Sequence, residues 1–168
     1  MKNNNYIIFN NKNSHDKRGS FVKPFNQDNF KEIGISCTFK ECLYTISHKD
    51  VIRGMHYQEG CSKLLWVSSG VIQDVALCIN KNSEDFGKYF SVILSSNNYK
   101  SLYLSPDYAH GFIALSDAVI VNYLLDQTYG IRKDKGFRYD SFDYDWDIEN
   151  PIVSEKDLSL SLFKKENF

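Results

Sequence analysis

Apolar positions along this chain gather into short runs that polar clusters interrupt. LYTIS at 43–47, KLLWVSS at 63–69, VIQDVALCI at 71–79, YFSVILS at 89–95, KSLYLS at 100–105 and AVIVNYLL at 118–125 are rich in β-branched and aromatic residues and predict strands. Between them lie NKNSED, SSNN, SPD and LSD, whose Asn, Asp, Ser and Pro suit turns. No strand–helix unit repeats, and no long stretch carries the period of an amphipathic helix. The regular spacing of the runs predicts an all-β sandwich or barrel. The segment at 126–151 is polar, glycine-containing and aromatic. It predicts an irregular arm that packs its rings on the β body and can wall a pocket. In the tail SEKDLSLSLF, Ser154 is placed to cap a short helix, with Asp157 as the acidic partner three positions on.

The longest run carries more than a strand signal. One face of VIQDVALCI holds Ile72, Asp74, Ala76 and Cys78, the other Val71, Gln73, Val75, Leu77 and Ile79. Neither face is wholly polar. A strand whose outer face meets another subunit would look like this, and so would one whose inner face is part core and part site. Asp74 stands among small residues, where a carboxylate must be either paired or wet.

Composition narrows the class. With 168 residues and 19.5 kDa the chain fits one domain, and 42% hydrophobic with 15% aromatic residues supply a core. Its 20 basic and 21 acidic residues leave a formal charge of -1 and form no basic stripe, so a nucleic-acid surface is not expected. Basic residues can still meet a small anionic ligand inside a pocket. Cys37, Cys42, Cys61 and Cys78 follow neither a C-x-x-C pattern nor a disulfide framework, and two of them lie in apolar runs as reduced core residues. MKNNNYIIFN lacks a signal-peptide apolar region and no stretch reaches transmembrane length, so no membrane partner and a cytoplasmic location are expected.

The stretch VIRGMHYQEG at 51–60 ends a β-like run with Arg53, Gly54 and His56, either as incidental turn residues or as the rim of a site. His110 follows PDYA and precedes Gly111 and the apolar run FIAL. Two histidines at strand boundaries beside glycine point to a shared cavity, although each alone reads equally as a satisfied structural residue. His15 and His48 lie in polar sequence and read as surface residues. His56 and Glu59 form H-x-x-E, to which His110 could add a third metal ligand, but Gln58 stands where a denser H-x-H cluster would need a second imidazole. No glycine-rich phosphate loop and no G-x-S-x-G are present. What remains is a metal-free acid/base set: His56, His110, Lys63, Asp74, Tyr123 and Asp157. Tyr123, in the middle of AVIVNYLL, reads equally as a core or interface aromatic.

Five blocks in order carry a resemblance: RGMHYQ, SKLLWVSSGVIQDVAL, FGKY, SPDYAHGFIALS and PIVSEKD. Together, from about Arg18 to Asp157, they closely resemble the dTDP-4-dehydrorhamnose 3,5-epimerase family. The resemblance implies an all-β, cupin-type double-stranded β-helix or jelly roll with short peripheral helices. It implies a single domain over 1–168 in which 126–168 forms the arm and the C-terminal segment that closes the site. It further implies a homodimer, a nucleotide-diphosphate sugar as substrate, no metal and no other cofactor, and a role in supplying precursors for surface polysaccharide or lipopolysaccharide. By the same resemblance His56 is the general base and Asp157 its carboxylate partner. Lys63 is the cation near the keto oxygen, Tyr123 the acid on the opposite face of the sugar, and His110 with Asp74 a supporting pair. Arg18, Lys23, Arg53 and Tyr129 fall on substrate contacts. The chemistry is coherent, because a hydrogen next to a 4-keto group is acidic once its carbanion can spread onto oxygen. Histidine, with an unperturbed pKa of roughly 6.5, accepts such a proton near neutrality.

The match departs from the family at the nucleotide end. Lys23 replaces a glutamate, Glu41 and Leu43 stand where the family commonly has glutamine and asparagine, and Thr128 replaces a large aromatic. Leu43 lacks an amide to donate, and Thr128 offers no ring face. An alternative therefore stays open: a single-site C3 or C5 epimerase, or a keto-isomerase, acting on a CDP-, GDP- or UDP-linked 4-keto sugar.

Overall fold

A computed structural model describes residues 5–128, 130 and 134–168. In chain order its strands are β1 (Tyr6–Asn10), β2 (Lys12–Asp16), β3 (Gly19–Lys23), β4 (Glu41–Ser47), β5 (Ile52–Tyr57), β6 (Lys63–Ser69), β7 (Val71–Cys78), β8 (Tyr89–Ser95), β9 (Lys100–Leu104), β10 (Tyr108–Ala114), β11 (Val119–Leu125) and β12 (Lys135–Gly136). Two short helices join them, α1 (Gln27–Glu32) and α2 (Glu155–Leu158). The first sheet runs β1-β9-β6-β11-β4 and the second β12-β5-β10-β7-β8, with every pair antiparallel. β2 and β3 form a separate hairpin. From β4 to β11 the chain passes repeatedly between the two sheets, which gives the jelly-roll architecture expected. No helix among the described residues is long and apolar enough to cross a membrane.

The inner faces meet in one core. Leu65, Val67, Leu102, Val121 and Tyr123 from the first sheet pack with Ile72, Ala76, Cys78, Leu94 and Phe112 from the second. The inner face of β7 is part core and part site, as one of the two expected alternatives has it, with Asp74 paired to His110 beside a cavity. Its inward residues join this core, whereas Val75 and Leu77 pack outward under Phe137 and Trp146 of the arm. The cover on Val75 and Leu77 comes from the arm of the same chain. The arm's rings meet edge to face, as Tyr144 does with Trp146 at 5.0 Å, and their polar ends are satisfied. Trp146 Nε1 donates to the Tyr139 carbonyl and Gln73 Nε2 to the Tyr144 hydroxyl. All four cysteines are free, Cys61 and Cys78 buried.

The six predicted strands are present within one or two residues of their predicted ends. Ala118 drops out of β11 because its backbone turns left-handed, with φ 50°. α1 was not predicted: its six residues are too few to display a helical period, and its signature is Asn26, whose side chain accepts from the Asp28 N–H. At α2 the expected cap is present, with Ser154 Oγ accepting from the Asp157 N–H at 3.1 Å.

One expectation is corrected. His56 and His110 do not stand at strand boundaries: His56 lies within β5, His110 within β10, and the two are register partners. Glycine and charge broke the apolar pattern that would have revealed these strands, while close packing on both sides of β10 buries all seven of its residues. Between the partners Arg53/Phe112 and His56/His110, β5 has two residues and β10 one, so β5 is bulged. At this point the backbones nearly touch. A Cβ on Gly54, whose φ is 138°, would lie 2.4 Å from Gly111 Cα, and one on Gly111 would lie 2.7 Å from the Arg53 carbonyl oxygen. Gly111→Ala is therefore expected to force the strands apart and cost about 1–3 kcal/mol of stability. Denaturant unfolding of the two proteins side by side checks this; an unchanged midpoint would mean that the approach is looser than described.

Candidate active site

A cavity of about 340 Å³ opens between the sheets. Arg53 and His56 reach it from β5, His110 and Phe112 from β10, Lys63 from β6, Tyr123 and Leu125 from β11, and Leu43 and Thr45 from β4. Gln58 and Asp134 stand on its rim, and Ser154, Lys156 and Asp157 arrive from α2 and its cap. Arg53 and His56 are three residues apart and would point to opposite faces of a regular strand. The bulge between them turns both toward the cavity.

His56 Nε2 lies 2.8 Å from Asp157 Oδ1. A carboxylate only accepts, so Nε2 carries the hydrogen and Nδ1 is left with a lone pair. The His56 side chain is 35% exposed and that of Asp157 6%, so the imidazole opens to the cavity while its carboxylate partner is enclosed. Burial by itself would raise the Asp157 carboxyl, but the His56 hydrogen bond and charge, the Gly54 N–H and Lys156 outweigh it and hold it below the ordinary carboxylate range. The Gly54 N–H donates to Asp157 Oδ2 at 3.3 Å, which fixes the second oxygen. Ser154 caps α2 and so orients the segment that delivers this carboxylate.

The second pair is enclosed. His110 Nδ1 stands 3.0 Å from Asp74 Oδ2, with Asp74 fully buried. Burial lowers the pKa of the His110 imidazole and raises that of the Asp74 carboxyl, while each partner pulls the other back. His110 is accordingly neutral, its Nδ1–H donating to Asp74. Among the described residues Asp74 Oδ1 has no hydrogen-bond partner, and the charge of nearby Lys63 favours the carboxylate there. Asp74 is thus neither at an edge nor in water.

Lys63 opens onto the cavity, yet protein surrounds its ammonium closely enough for burial to lower its pKa, with Cys61, Asp134 and Asp74 favouring the cation. Burial and the Asp74 charge push the Tyr123 phenol well above its ordinary range, and Thr45 and Arg53 pull it back. The phenol therefore holds its proton. Tyr123 packs against His110, with ring centroids 6.1 Å apart. The cavity thus presents an oriented imidazole, a cation and a protonated phenol to one bound molecule.

His56, Asp157, Lys63, Tyr123, His110 and Asp74 come together as one constellation. Arg53 also lines the cavity, though its guanidinium is already engaged, Nε with Ser47 Oγ and Nη2 with the Ile46 carbonyl. Arg18 and Lys23 are not brought to this cavity by their own chain. Arg18 is exposed in the β2–β3 turn and pairs with Asp16 at 2.6 Å, and Lys23 lies beside a separate cleft near Asn26. Tyr129 lies outside the described residues. Glu59 of the H-x-x-E pattern is exposed and pairs with Lys135 away from the cavity. His15 and His48 are exposed. Sequence reasoning missed Thr45, Gln58, Asp134 and Lys156. Alternation from Leu43 would have found Thr45, and adjacency to Asp157 would have suggested Lys156. The contact of Gln58 with Asp134 bridges 76 positions and has no local signal.

Residues 2–165 match the family model described as dTDP-4-dehydrorhamnose 3,5-epimerase. The dTDP-4-dehydrorhamnose 3,5-epimerase of Methanothermobacter thermautotrophicus is 38% identical over 149 residues, which cover 84% of this chain and 80% of that one. The fold is similar to that of the Bacillus anthracis dTDP-4-dehydrorhamnose 3,5-epimerase, solved with TDP and PPi bound, at a TM-score of 0.91, 28% identity and 97% coverage of both chains. It is also similar to the dTDP-6-deoxy-D-glucose-3,5-epimerase of Legionella pneumophila, solved in complex with dTDP-4-keto-L-rhamnose, at a TM-score of 0.89 and 30% identity over 96% of this chain and 89% of that one. By sequence over nearly its whole length, and by fold, the chain belongs to the dTDP-4-dehydrorhamnose 3,5-epimerase family.

Proposed function

We propose that this chain inverts C3 and C5 of a dTDP-linked 4-keto-6-deoxy sugar, with His56 removing the ring proton and Tyr123 returning one from the opposite face. One observation carries the assignment of roles: His56 and Tyr123 belong to facing sheets and line the same cavity. A ring held between them has a base on one side and an acid on the other. The Legionella pneumophila relative binds a dTDP-linked keto sugar, which suits such a cavity.

The electron pair of the broken C–H bond passes into the enolate, whose C4 oxygen lies within the field of the Lys63 ammonium. Such a preorganised charge typically contributes about 3–4 kcal/mol to the transition state. Asp157 holds the His56 tautomer and favours the imidazolium that forms. Tyr123 then gives its proton to the carbon, the C4 carbonyl re-forms, and the phenolate and imidazolium reset by exchange with solvent. His110 and Asp74 support this wall of the cavity as a neutral, hydrogen-bonded pair.

A homodimer completes the reading. On β4 Tyr44 and Ile46 are 64% and 57% exposed, an apolar outer surface suited to a second copy. The β2–β3 hairpin leaves Arg18 and Lys23 away from their own cavity, free to serve the diphosphate end of the partner's. The product would feed surface polysaccharide assembly in the cytoplasm.

Incubation in D₂O with dTDP-4-keto-6-deoxyglucose should place deuterium at C3 and C5, and parallel CDP-, GDP- and UDP-linked sugars read nucleotide preference. His56→Ala should lower exchange at both carbons by roughly 10²–10⁴-fold with the fold retained, whereas Tyr123→Phe should spare exchange at C3 more than inversion at C5. No deuterium at either carbon with any of the four nucleotides overturns the assignment.

Lys63 gives a pH prediction. A lysine is charged below its pKa, and burial moves that of Lys63 below 10.5, so the rate should fall at a lower alkaline pH than an exposed lysine would give. Lys63→Ala should remove this limb and reduce kcat by on the order of 10²–10³ with a smaller change in KM. A loss confined to KM would move Lys63 to the diphosphate contacts.

The dimer is tested by complementation. Arg18→Ala and His56→Ala, each impaired alone, should regain activity when co-expressed, because a mixed dimer holds one intact site. Failure to regain it, with a mixed dimer demonstrated by mass, would return Arg18 to its own chain.

A further inference from the structure

Thr45 and Leu43 alternate along β4 and both reach the cavity. In the β4–β11 ladder Leu43 pairs with Tyr123 and Thr45 with Val121, which makes Thr45 the diagonal neighbour of Tyr123 on one face of the sheet. Diagonal neighbours in an antiparallel pair lie within reach of an aromatic side chain. Thr45 Oγ1 is buried, yet among the described residues no partner stands in full hydrogen-bond geometry with it. A buried hydroxyl with nothing to bind is costly to keep, so its placement calls for a partner.

Two neighbours ease ionisation of the Tyr123 phenol against its burial, Thr45 and Arg53. Arg53 is committed elsewhere, to Ser47 and the Ile46 carbonyl. The Thr45 hydroxyl is the uncommitted one. We infer that Thr45 is a positioning residue for Tyr123: its O–H donates to the phenol oxygen, aims the phenolic hydrogen at the ring carbon, and holds the phenolate left behind. The inference rests on the reading of Tyr123 as the acid. In that step the phenolic proton moves to carbon, the enolate's electron pair forms the new C–H bond, and the negative charge passes to the tyrosine oxygen. A donor aimed at that oxygen binds the phenolate more strongly than the phenol, so it lowers the barrier to proton delivery and leaves proton removal by His56 untouched.

The test compares wild type with Thr45→Val, which replaces the hydroxyl by a methyl of similar size, and with Thr45→Ser, which keeps it. Deuterium exchange at C3 and inversion at C5 are read in the same tube. Thr45→Val is expected to slow C5 inversion by about tenfold or more relative to C3 exchange, with little change in KM. Thr45→Ser is expected to restore the ratio to about that of wild type. In a Tyr123→Phe background Thr45→Val should have no further effect on the ratio, since the group it serves is gone. An unchanged C5:C3 ratio in Thr45→Val overturns the inference and leaves the epimerase reading standing. So does a rise in KM with kcat intact, which would make Thr45 a direct substrate contact. Wild type that exchanges at neither carbon overturns both. Should Thr45→Val fold poorly, a wild-type ratio in Thr45→Ala overturns the inference equally.

Discussion

At Gly54 and Gly111 two strands approach more closely than any side chain would permit, and β5 takes up one residue more than β10 across that stretch. The site depends on this constraint. It turns Arg53 and His56 to the same side, and it aims the Gly54 N–H at Asp157. Asp157 comes from 101 positions further along the chain, and its two oxygens divide between the His56 ring and the Gly54 backbone. The carboxylate therefore reads the geometry of the bulge directly. A shift of β5 would disturb the imidazole and its partner together.

The two histidine–carboxylate pairs share a chemistry and differ in surroundings. The His110–Asp74 pair is sealed between the sheets, where low polarity favours the neutral ring. The His56–Asp157 pair keeps its carboxylate enclosed and its ring open. The His56 ring is the more open of the two, while the His110 ring touches the cavity but is otherwise enclosed. Lys63 lines the cavity, and its charge favours the buried Asp74 carboxylate, one of whose oxygens has no hydrogen-bond partner among the described residues. Removing that cation would leave a buried carboxylate less compensated, so Lys63 and the His110–Asp74 pair are electrostatically joined.

Much of the architecture was legible in the sequence because strands that alternate or run apolar declare themselves locally. KLLWVSS and YFSVILS became β6 and β8 with the predicted ends. β5 and β10 were harder, since the glycines and charged residues that serve the site erase the apolar signal there. The side chains they bring to the cavity, Arg53, His56 and His110, were nonetheless named as candidates, by residue type and family-like order. The bulge that unites Arg53 with His56 had no sequence signal beyond Gly54, because it exists only in the pairing of two distant segments. Arg18 and Lys23 illustrate the opposite limit: the sequence names them, and the fold of one chain does not bring them to the cavity. Thr45 escaped notice because a threonine in a strand is ordinary until its hydroxyl is found buried and unmatched.

The cavity's walls are not equally anchored. His56 and Lys63 are set on interior strands with a neighbour on either side, whereas Leu43 and Thr45 belong to β4, which closes the first sheet and, among the described residues, is hydrogen-bonded along one side alone. Within one chain a border strand has one ladder fewer to keep in register than a central strand. Leu43 and Thr45 are thus the cavity-lining residues carried by a border strand, held by fewer neighbours within the chain than His56 or Lys63.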